Sequence, residues 1–244
     1  MPEQTDVTAE RDVVNVAETC VGTKALGPGI RSVVWVQGCP LHCPGCIAPG
    51  WIPRRTARLV APEELAAELL ADPAVSGLTL SGGEPMLQAG ALAAMVRAAR
   101  AQRDVTVICF TGHTLAELRE SPPGRGVPGL LEQVDVLIDG PYVAAANDGL
   151  GLRGSSNQQV HHLTSRLTDW DDGFVRHPRS AEIRVRDRSV LLVGVPPPGL
   201  ARGFDQAVRR ARQLGQTHQL AEDRQPSTHS QPGLATESTT GDES

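Results

Sequence analysis

The chain has 244 residues, of which 40% are hydrophobic and 21% charged, and its formal net charge is −5 at pH 7. This length suits one domain of ordinary size with appendages. The negative charge, without any block of lysine or arginine, disfavours a nucleic-acid partner. The N-terminus has no apolar signal core, and no apolar run is long enough to span a bilayer. We therefore expect a soluble cytoplasmic protein with no membrane partner.

Segments typical of strands and helices alternate through the first part of the chain. Four short runs rich in β-branched or apolar residues predict strands: Arg31–Gln37, Gly77–Leu80, Val105–Phe110 and Val134–Ile138. Three helices are predicted among them: one that begins at Pro62, one over residues 86–102 and one over Thr114–Glu120, with Thr114 as its cap. Alternating strands and helices predict an α/β protein with a parallel sheet.

The last part of the chain has a different pattern. Ala181–Val195 predicts a β-hairpin, and its apolar residues predict one face buried against the domain: Ile183, Val185, Val190, Leu192 and Val193. Leu200–Leu214 predicts a helix with a solvated arginine face. From about residue 215 the composition is too polar to bury a core, which predicts a disordered tail.

Four candidate motifs each follow a predicted strand. They are the loop that contains Cys39, Cys43 and Cys46, then Gly82-Gly83-Glu84, then Thr111-Gly112-His113, and finally Asp139-Gly140-Pro141. In α/β proteins with parallel strands, active sites gather at the carboxyl ends of the strands. The four motifs are therefore expected to meet at one edge of the sheet. The adjacent His161 and His162 are expected to be solvated, without a metal role.

The three cysteines of the first loop have the spacing Cys39-x-x-x-Cys43-x-x-Cys46. Cysteine thiolates hold iron–sulfur clusters, and a [4Fe–4S] cluster has four irons. Three cysteines close together can ligate three irons and leave the fourth open, as catalytic zinc sites keep one open position. The spacing therefore predicts a [4Fe–4S] cluster.

A structural zinc site is the alternative for these cysteines. Such a site needs a fourth ligand, which His42, Cys20 or Cys109 could supply. The usual zinc pattern has two separated ligand pairs, whereas this chain has a single triplet, so the cluster is favoured.

The two remaining cysteines limit how electrons can reach such a cluster. Cys20 and Cys109 cannot build a second four-thiolate cluster, so the electrons must come from a separate protein. Cys109 lies in a predicted strand and is expected to be a small buried hydrophobe. Cys20 receives no role.

Further stretches occur in the same order as the motifs. They are Leu78–Pro85, Thr111–Thr114, Val134–Pro141 and Leu152–Gln158. With the cysteine triplet, this set resembles the radical S-adenosylmethionine (SAM) superfamily. Within the superfamily it is similar to the activating proteins of anaerobic ribonucleotide reductase and, more loosely, to pyruvate formate-lyase activating enzymes. The resemblance covers roughly residues 29–160.

The resemblance implies a fold and a domain organisation. The expected fold is a partial, open (β/α) barrel of the radical SAM type, with a C-terminal β-hairpin and helix and a disordered tail. The expected divisions are an N-terminal segment over residues 1–28, a radical SAM core over 29–165, an accessory hairpin and helix over 166–214, and the tail over 215–244.

The resemblance also implies which residues bind SAM. These are Gly45, Cys46, Ile47, Gly82, Gly83, Glu84, Thr111 and Asp139. Glycine lets the backbone approach a ligand closely, and Glu84 is expected near the SAM amino group as a countercharge. Gly45 stands where relatives often carry an aromatic residue that packs on the adenine. Asp139 is either a SAM or partner contact or a turn or helix-capping residue.

The activity implied by the resemblance is reductive cleavage of SAM to a 5′-deoxyadenosyl radical, which generates a glycyl radical on a partner enzyme. The cofactors are then a [4Fe–4S] cluster and SAM, and the electron donor is an external protein such as flavodoxin or ferredoxin. No side chain need act as an acid or a base. Two alternatives stay open: a radical SAM enzyme that modifies a small molecule or peptide, and a cluster- or zinc-binding interaction protein without SAM chemistry.

Overall fold

The computed structural model of the protein describes residues 13–186 and 189–222. The chain divides into two compact units, one through Arg202 and the other from Gly203 onward. The first unit contains the sheets. The described part of the second unit is the rest of a long helix that ends at Glu222.

Seven strands form the main sheet, in the order β3-β1-β2-β4-β5-β6-β7. Their bounds are β1 Val14–Thr23, β2 Arg31–Val36, β3 Arg58–Val60, β4 Gly77–Gly82, β5 Thr106–Phe110, β6 Val136–Asp139 and β7 Gln159–His162. The central strands β2, β4, β5 and β6 run parallel to one another, whereas β1, β3 and β7 join through antiparallel pairings. A separate hairpin pairs β8, Ala181–Arg186, with β9, Ser189–Gly194.

Within the described residues, six α-helices connect or follow the strands. They are α1 Pro62–Leu69, α2 Ala89–Gln102, α3 Leu115–Glu120, α4 Val127–Leu131, α5 Asp171–Val175 and α6 Leu200–Glu222. None of the helices in the described ranges combines the length and apolar character needed to cross a membrane.

The predicted α/β alternation is confirmed, and the strand order adds what the sequence analysis missed. All four predicted strands and the predicted helices are present, and Thr114 caps α3 in a reciprocal capping box with Glu117. The strands β1, β3 and β7 were not predicted. The helix α6 continues to Glu222, past its predicted end at Leu214, and the remainder of the predicted tail lies outside the described residues.

Both faces of the main sheet are covered, which explains the continuous apolar runs of its central strands. On β2, Val34 and Val36 pack with the helices α1, α2 and α4, while Val33 and Trp35 point to the opposite face. Residues of β9 and of the segment after it cover part of that second face.

The amino ends of the central strands are joined by Arg31, which is completely buried. Its guanidinium donates to Thr79 Oγ1 at 2.8 Å, to Thr106 Oγ1 at 3.0 Å and to the carbonyl of Leu78. Burial lowers the pKa of Arg31 to about 9. This one side chain therefore cross-links β2, β4 and β5 at the end opposite the candidate motifs.

The predicted β-hairpin is confirmed, but the prediction of its buried face was wrong for most of the residues. Ile183 and Val185 are 58% and 78% exposed. The opposite face contacts β1, because Arg184 donates to the carbonyl of Gly22 at 2.7 Å and Arg186 to Glu18 Oε1 at 2.9 Å. The fully buried Val193 lies on this inner face and packs into the core.

The assignment of the inner and outer faces of the hairpin can be tested with a matched pair of substitutions. Val193→Ala is expected to lower the free energy of unfolding by about 2 kcal/mol, because it removes two buried methyl groups. Val185→Ala, the same chemical change at an exposed site, should change it by less than about 0.5 kcal/mol. Urea denaturation of both variants tests this, and a larger loss for Val185→Ala would contradict the assigned face.

Candidate functional site

The carboxyl ends of the four parallel strands bring the predicted motifs to one edge of the sheet. Val36 pairs with Gly82, Leu80 with Cys109, and Phe110 with Ile138. The cysteine loop therefore leaves β2 beside the glycine pair that ends β4. Thr111 follows β5, and Asp139 is the last residue of β6.

The root of the cysteine loop is fixed by backbone hydrogen bonds. The N–H of Gly38 donates to the carbonyl of Trp51 at 2.8 Å, and that of Cys39 donates to the carbonyl of Ile52 at 3.0 Å. Gly38 has a φ of +100°, which glycine adopts without strain. Gly38 is a site residue outside the predicted set, and its signal in the sequence is a glycine placed between a strand and a cysteine.

The second and third cysteines are brought together by a β-turn. The N–H of Cys46 donates to the carbonyl of Cys43 at 3.1 Å, and Pro44 and Gly45 occupy the two central positions. Gly45 has a φ of +76°, as required at the third position of a type II turn. Glycine at this position is therefore explained by the turn itself.

The thiols of the three cysteines have the chemistry that an iron–sulfur cluster requires. All three are unpaired and partly exposed, so they can receive metal from solvent. Burial raises the pKa of the Cys39 and Cys46 thiols, and a bound cation would favour their deprotonated forms.

The zinc alternative needs several ligands around one ion. Among the described residues, no three His, Cys, Asp or Glu side chains are grouped around one position, and this holds for Cys39, Cys43 and Cys46 as well as for a zinc set. Two of the proposed fourth ligands are buried elsewhere: Cys20 packs beside Trp35, and Cys109 lies in the main core, as predicted.

The glycine pair after β4 is glycine because two backbones approach closely. A Cβ on Gly82 would collide with the backbone nitrogen of Val36, and one on Gly83 would collide with the carbonyl of Gly38. Hydrogen bonds join the same segments, from Gly83 N–H to Val36 O at 2.7 Å and from Glu84 N–H to Gly38 O at 2.9 Å. The motif predicts close approach of a ligand to these glycines, whereas the close neighbour in the structure is the cysteine loop.

Glu84 connects two of the motifs through its buried carboxylate. Oε1 accepts from Thr111 Oγ1 at 2.8 Å and from the N–H of Met86 at 2.9 Å, and Oε2 accepts from the N–H of Gly112 at 2.9 Å. Burial raises the pKa of this carboxyl, although all three hydrogen bonds lower it. Glu84, predicted to lie near the SAM amino group as a countercharge, thus already accepts hydrogen bonds from three donors of the protein.

Asp139 has the capping role that was one of its two interpretations. Its Oδ2 accepts from the N–H of Leu115, the first residue of α3, at 2.6 Å. The same oxygen lies 2.9 Å from Nε2 of His161, a residue expected to be solvated that is in fact partly buried on β7. Asp139 therefore ties α3 and β7 to the end of β6.

The polar stretch that starts at Arg153 packs beneath the last motif. Gln158 donates to the carbonyl of Gly140 at 2.7 Å, and Ser155 Oγ accepts from the N–H of Val143 at 3.1 Å. The segment that they support passes the cysteine loop, because Tyr142 Cε1 lies 4.0 Å from where a Cβ on Gly45 would be. Tyr142 is a neighbour of the site that no motif in the sequence indicates. Ile47, at the other side of Cys46, is 40% exposed.

Comparisons with known proteins agree with this arrangement. A family model described as a 4Fe-4S single cluster domain matches residues 25–161. The anaerobic ribonucleoside-triphosphate reductase-activating protein of Vibrio cholerae is 35% identical over 148 residues, which are 57% of this chain and 91% of that protein. The protein of the same name from Escherichia coli K12 is 33% identical over 147 residues, 56% of this chain and 91% of its own. The pyruvate formate-lyase-activating enzyme of Listeria monocytogenes is 37% identical over 162 residues, 62% of each chain.

These matches define an iron–sulfur enzyme of the radical SAM class, whose cofactors are a [4Fe–4S] cluster and SAM. The chain belongs to the 4Fe-4S single cluster domain family, and within it to the group of activating proteins.

The three donors around Glu84 make a substitution informative. Glu84→Gln keeps the shape but points an NH₂ group at the N–H of either Met86 or Gly112, so one hydrogen bond becomes a repulsion. We expect the free energy of unfolding to fall by about 1–3 kcal/mol, measured by urea denaturation. Glu120→Gln, at the exposed end of α3, is the control. Equal midpoints for the two variants would show that the carboxylate is not needed.

Proposed function

We propose that this chain generates a glycyl radical on a partner enzyme, with Cys39, Cys43 and Cys46 as the ligands of its [4Fe–4S] cluster. The observation that carries the proposal is the loop itself: three partly exposed cysteines at the carboxyl edge of a parallel sheet, hydrogen-bonded at its root to the end of β4. When bound, the cluster and SAM supply a 5′-deoxyadenosyl radical through one-electron cleavage of SAM.

The protein's own residues position these groups and exclude competing reactions. Gly83 and Glu84 hold the β4 edge against the cysteine loop, and Glu84 fixes Thr111 and Gly112 in the next loop. We propose that SAM lies along this edge, between Gly45 to Ile47 and the end of β6 at Asp139. Glu84 then acts mainly by setting backbone positions, because three protein donors already occupy its oxygens.

The finer architecture belongs to the same proposal. We propose that residues 29–165 form the radical SAM core, to which β1 of the preceding segment adds a strand, and that the resulting sheet is the wall of a partial, open barrel. In this view, residues 166–214 are an accessory element. The strand order supports an open arrangement, because β3 and β7 end the sheet without pairing to each other.

The partner class follows from the relatives. Proteins that are 30–35% identical and covered over 91% of their length are named activating proteins of an anaerobic ribonucleoside-triphosphate reductase. We propose that this chain acts on an enzyme of the same kind and receives its electron from a separate carrier such as flavodoxin or ferredoxin. Cys20 and Cys109, both buried, leave no thiols for a second cluster among the five of the chain.

Cluster ligation is tested by single substitutions. Anaerobically reconstituted protein should bind about four irons per chain. Replacing Cys39, Cys43 or Cys46 with alanine should remove most of the iron and of the visible absorption. Cys20→Ala and Cys109→Ala are the controls and should retain both. Stoichiometric zinc uptake without iron would contradict the proposal.

The radical transfer is tested with a reductase of the named class. The reconstituted chain, SAM, a reductant and the reductase should give a glycyl radical signal in electron paramagnetic resonance, together with 5′-deoxyadenosine. The signal should be absent with Cys43→Ala. Release of 5′-deoxyadenosine that never leads to a glycyl radical would instead favour the alternative of a small-molecule or peptide substrate.

A further inference from the structure

The segment that contains the cysteine loop and the residues just after it is basic and has no acidic side chains. Residues 38–57 contain His42, Arg54 and Arg55 but no Asp or Glu, in a chain whose net charge is −5. The local charge is thus opposite in sign to that of the whole molecule.

Backbone hydrogen bonds hold this segment against the root of the loop. Its residues Trp51 and Ile52 accept from Gly38 and Cys39, as described above, and the carbonyl of Pro53 accepts from Gln37 Nε2 at 2.7 Å. The Cα and Cγ atoms of Arg54 lie 3.9 Å and 3.8 Å from where a Cβ on Gly38 would be. Asn15 Nδ2 donates to the carbonyl of Arg55 at 2.8 Å, which fixes the second arginine to β1.

The side chains of both arginines are exposed. Within the described part of the chain, neither side chain forms an ion pair, whereas Arg58 pairs with Glu68 and Arg100 with Asp135. Packing and internal ion pairs therefore do not explain two adjacent arginines at this position.

We propose that Arg54 and Arg55 form the docking surface for an acidic electron-carrier protein that reduces the cluster. The inference rests on the proposed function, and it adds the location of the surface to which the carrier binds. One electron leaves the reduced carrier and enters the cluster, so the carrier is oxidised and the cluster reduced by one electron, while no bond changes and no proton need move. Cations on a backbone segment that is held beside the cluster loop steer an acidic partner to this point.

The strand order separates this surface from the proposed SAM residues that follow β4, β5 and β6, but not from Gly45, Cys46 and Ile47 of the cysteine loop. Arg55 is bound to β1 on one side of β2, whereas Glu84, Thr111 and Asp139 follow β4, β5 and β6 on the other side. A carrier at the arginines therefore leaves the edge formed by β4 to β6 for the enzyme that receives the radical.

The test uses the full, cluster-loaded chain and two reductants. Reduced flavodoxin is the acidic protein donor, and photoreduced 5-deazariboflavin is a small uncharged donor. The variant is Arg54→Gln/Arg55→Gln, and the control is Arg97→Gln/Arg119→Gln, which removes the same charge from exposed positions on α2 and α3. The readouts are the rate of visible bleaching, the iron content and the Kd of oxidised flavodoxin, each at low and high salt.

The variant should be reduced about tenfold more slowly by flavodoxin at low salt and should bind it about tenfold more weakly. Both differences should shrink at about 0.5 M salt, because screening is then strong. Iron content and the rate with 5-deazariboflavin should equal those of the parent.

Two results would overturn the docking proposal while leaving the proposed function intact. One is an equal rate and Kd with flavodoxin for the parent and the variant. The other is a variant that flavodoxin reduces normally but that transfers the radical poorly to the reductase, which would assign the surface to that enzyme. A parent chain that takes up no iron would overturn the proposed function and this inference with it.

Discussion

The candidate site depends on the close backbone contact between the end of β4 and the root of the cysteine loop. Two hydrogen bonds, from Gly83 and Glu84 to Val36 and Gly38, join the segments where the parallel pairing of β2 and β4 ends. A side chain at either glycine would force the backbones apart. The position of the first cysteine relative to the next strand is therefore set by the absence of two Cβ atoms.

Glu84 extends this constraint across the sheet edge. Its backbone contacts the cysteine loop, while its carboxylate holds the loop after β5. Asp139 continues the pattern through α3 and β7. Buried carboxylates with backbone donors are costly to replace, because removal leaves several donors unsatisfied. The edge thus behaves as one connected polar frame, and displacement of any loop in it would disturb the others.

The sequence predicted the parts of this fold that depend on local pattern. The helix that begins at Pro62, the cap at Thr114 and the alternation of β and α elements all follow from short-range spacing. The buried face of the hairpin could not be predicted from short-range spacing. A period of two identifies two faces, but Arg184 and Arg186 find their acceptors about 160 residues away on β1, which no local pattern contains. The same is true of Glu84, because two of its three donors, Thr111 and Gly112, come from another loop.

The turn that joins Cys43 to Cys46 affects how a metal centre can be assembled. Proline restricts one central position and glycine permits the positive φ of the other, and a backbone hydrogen bond closes the turn. None of these contributions comes from metal, so the ordering entropy of this half of the loop is already lost when the chain folds. Metal binding then has to order the side chains of these two cysteines but not the turn between them. We therefore expect the backbone of this turn to be formed before the inorganic centre is inserted.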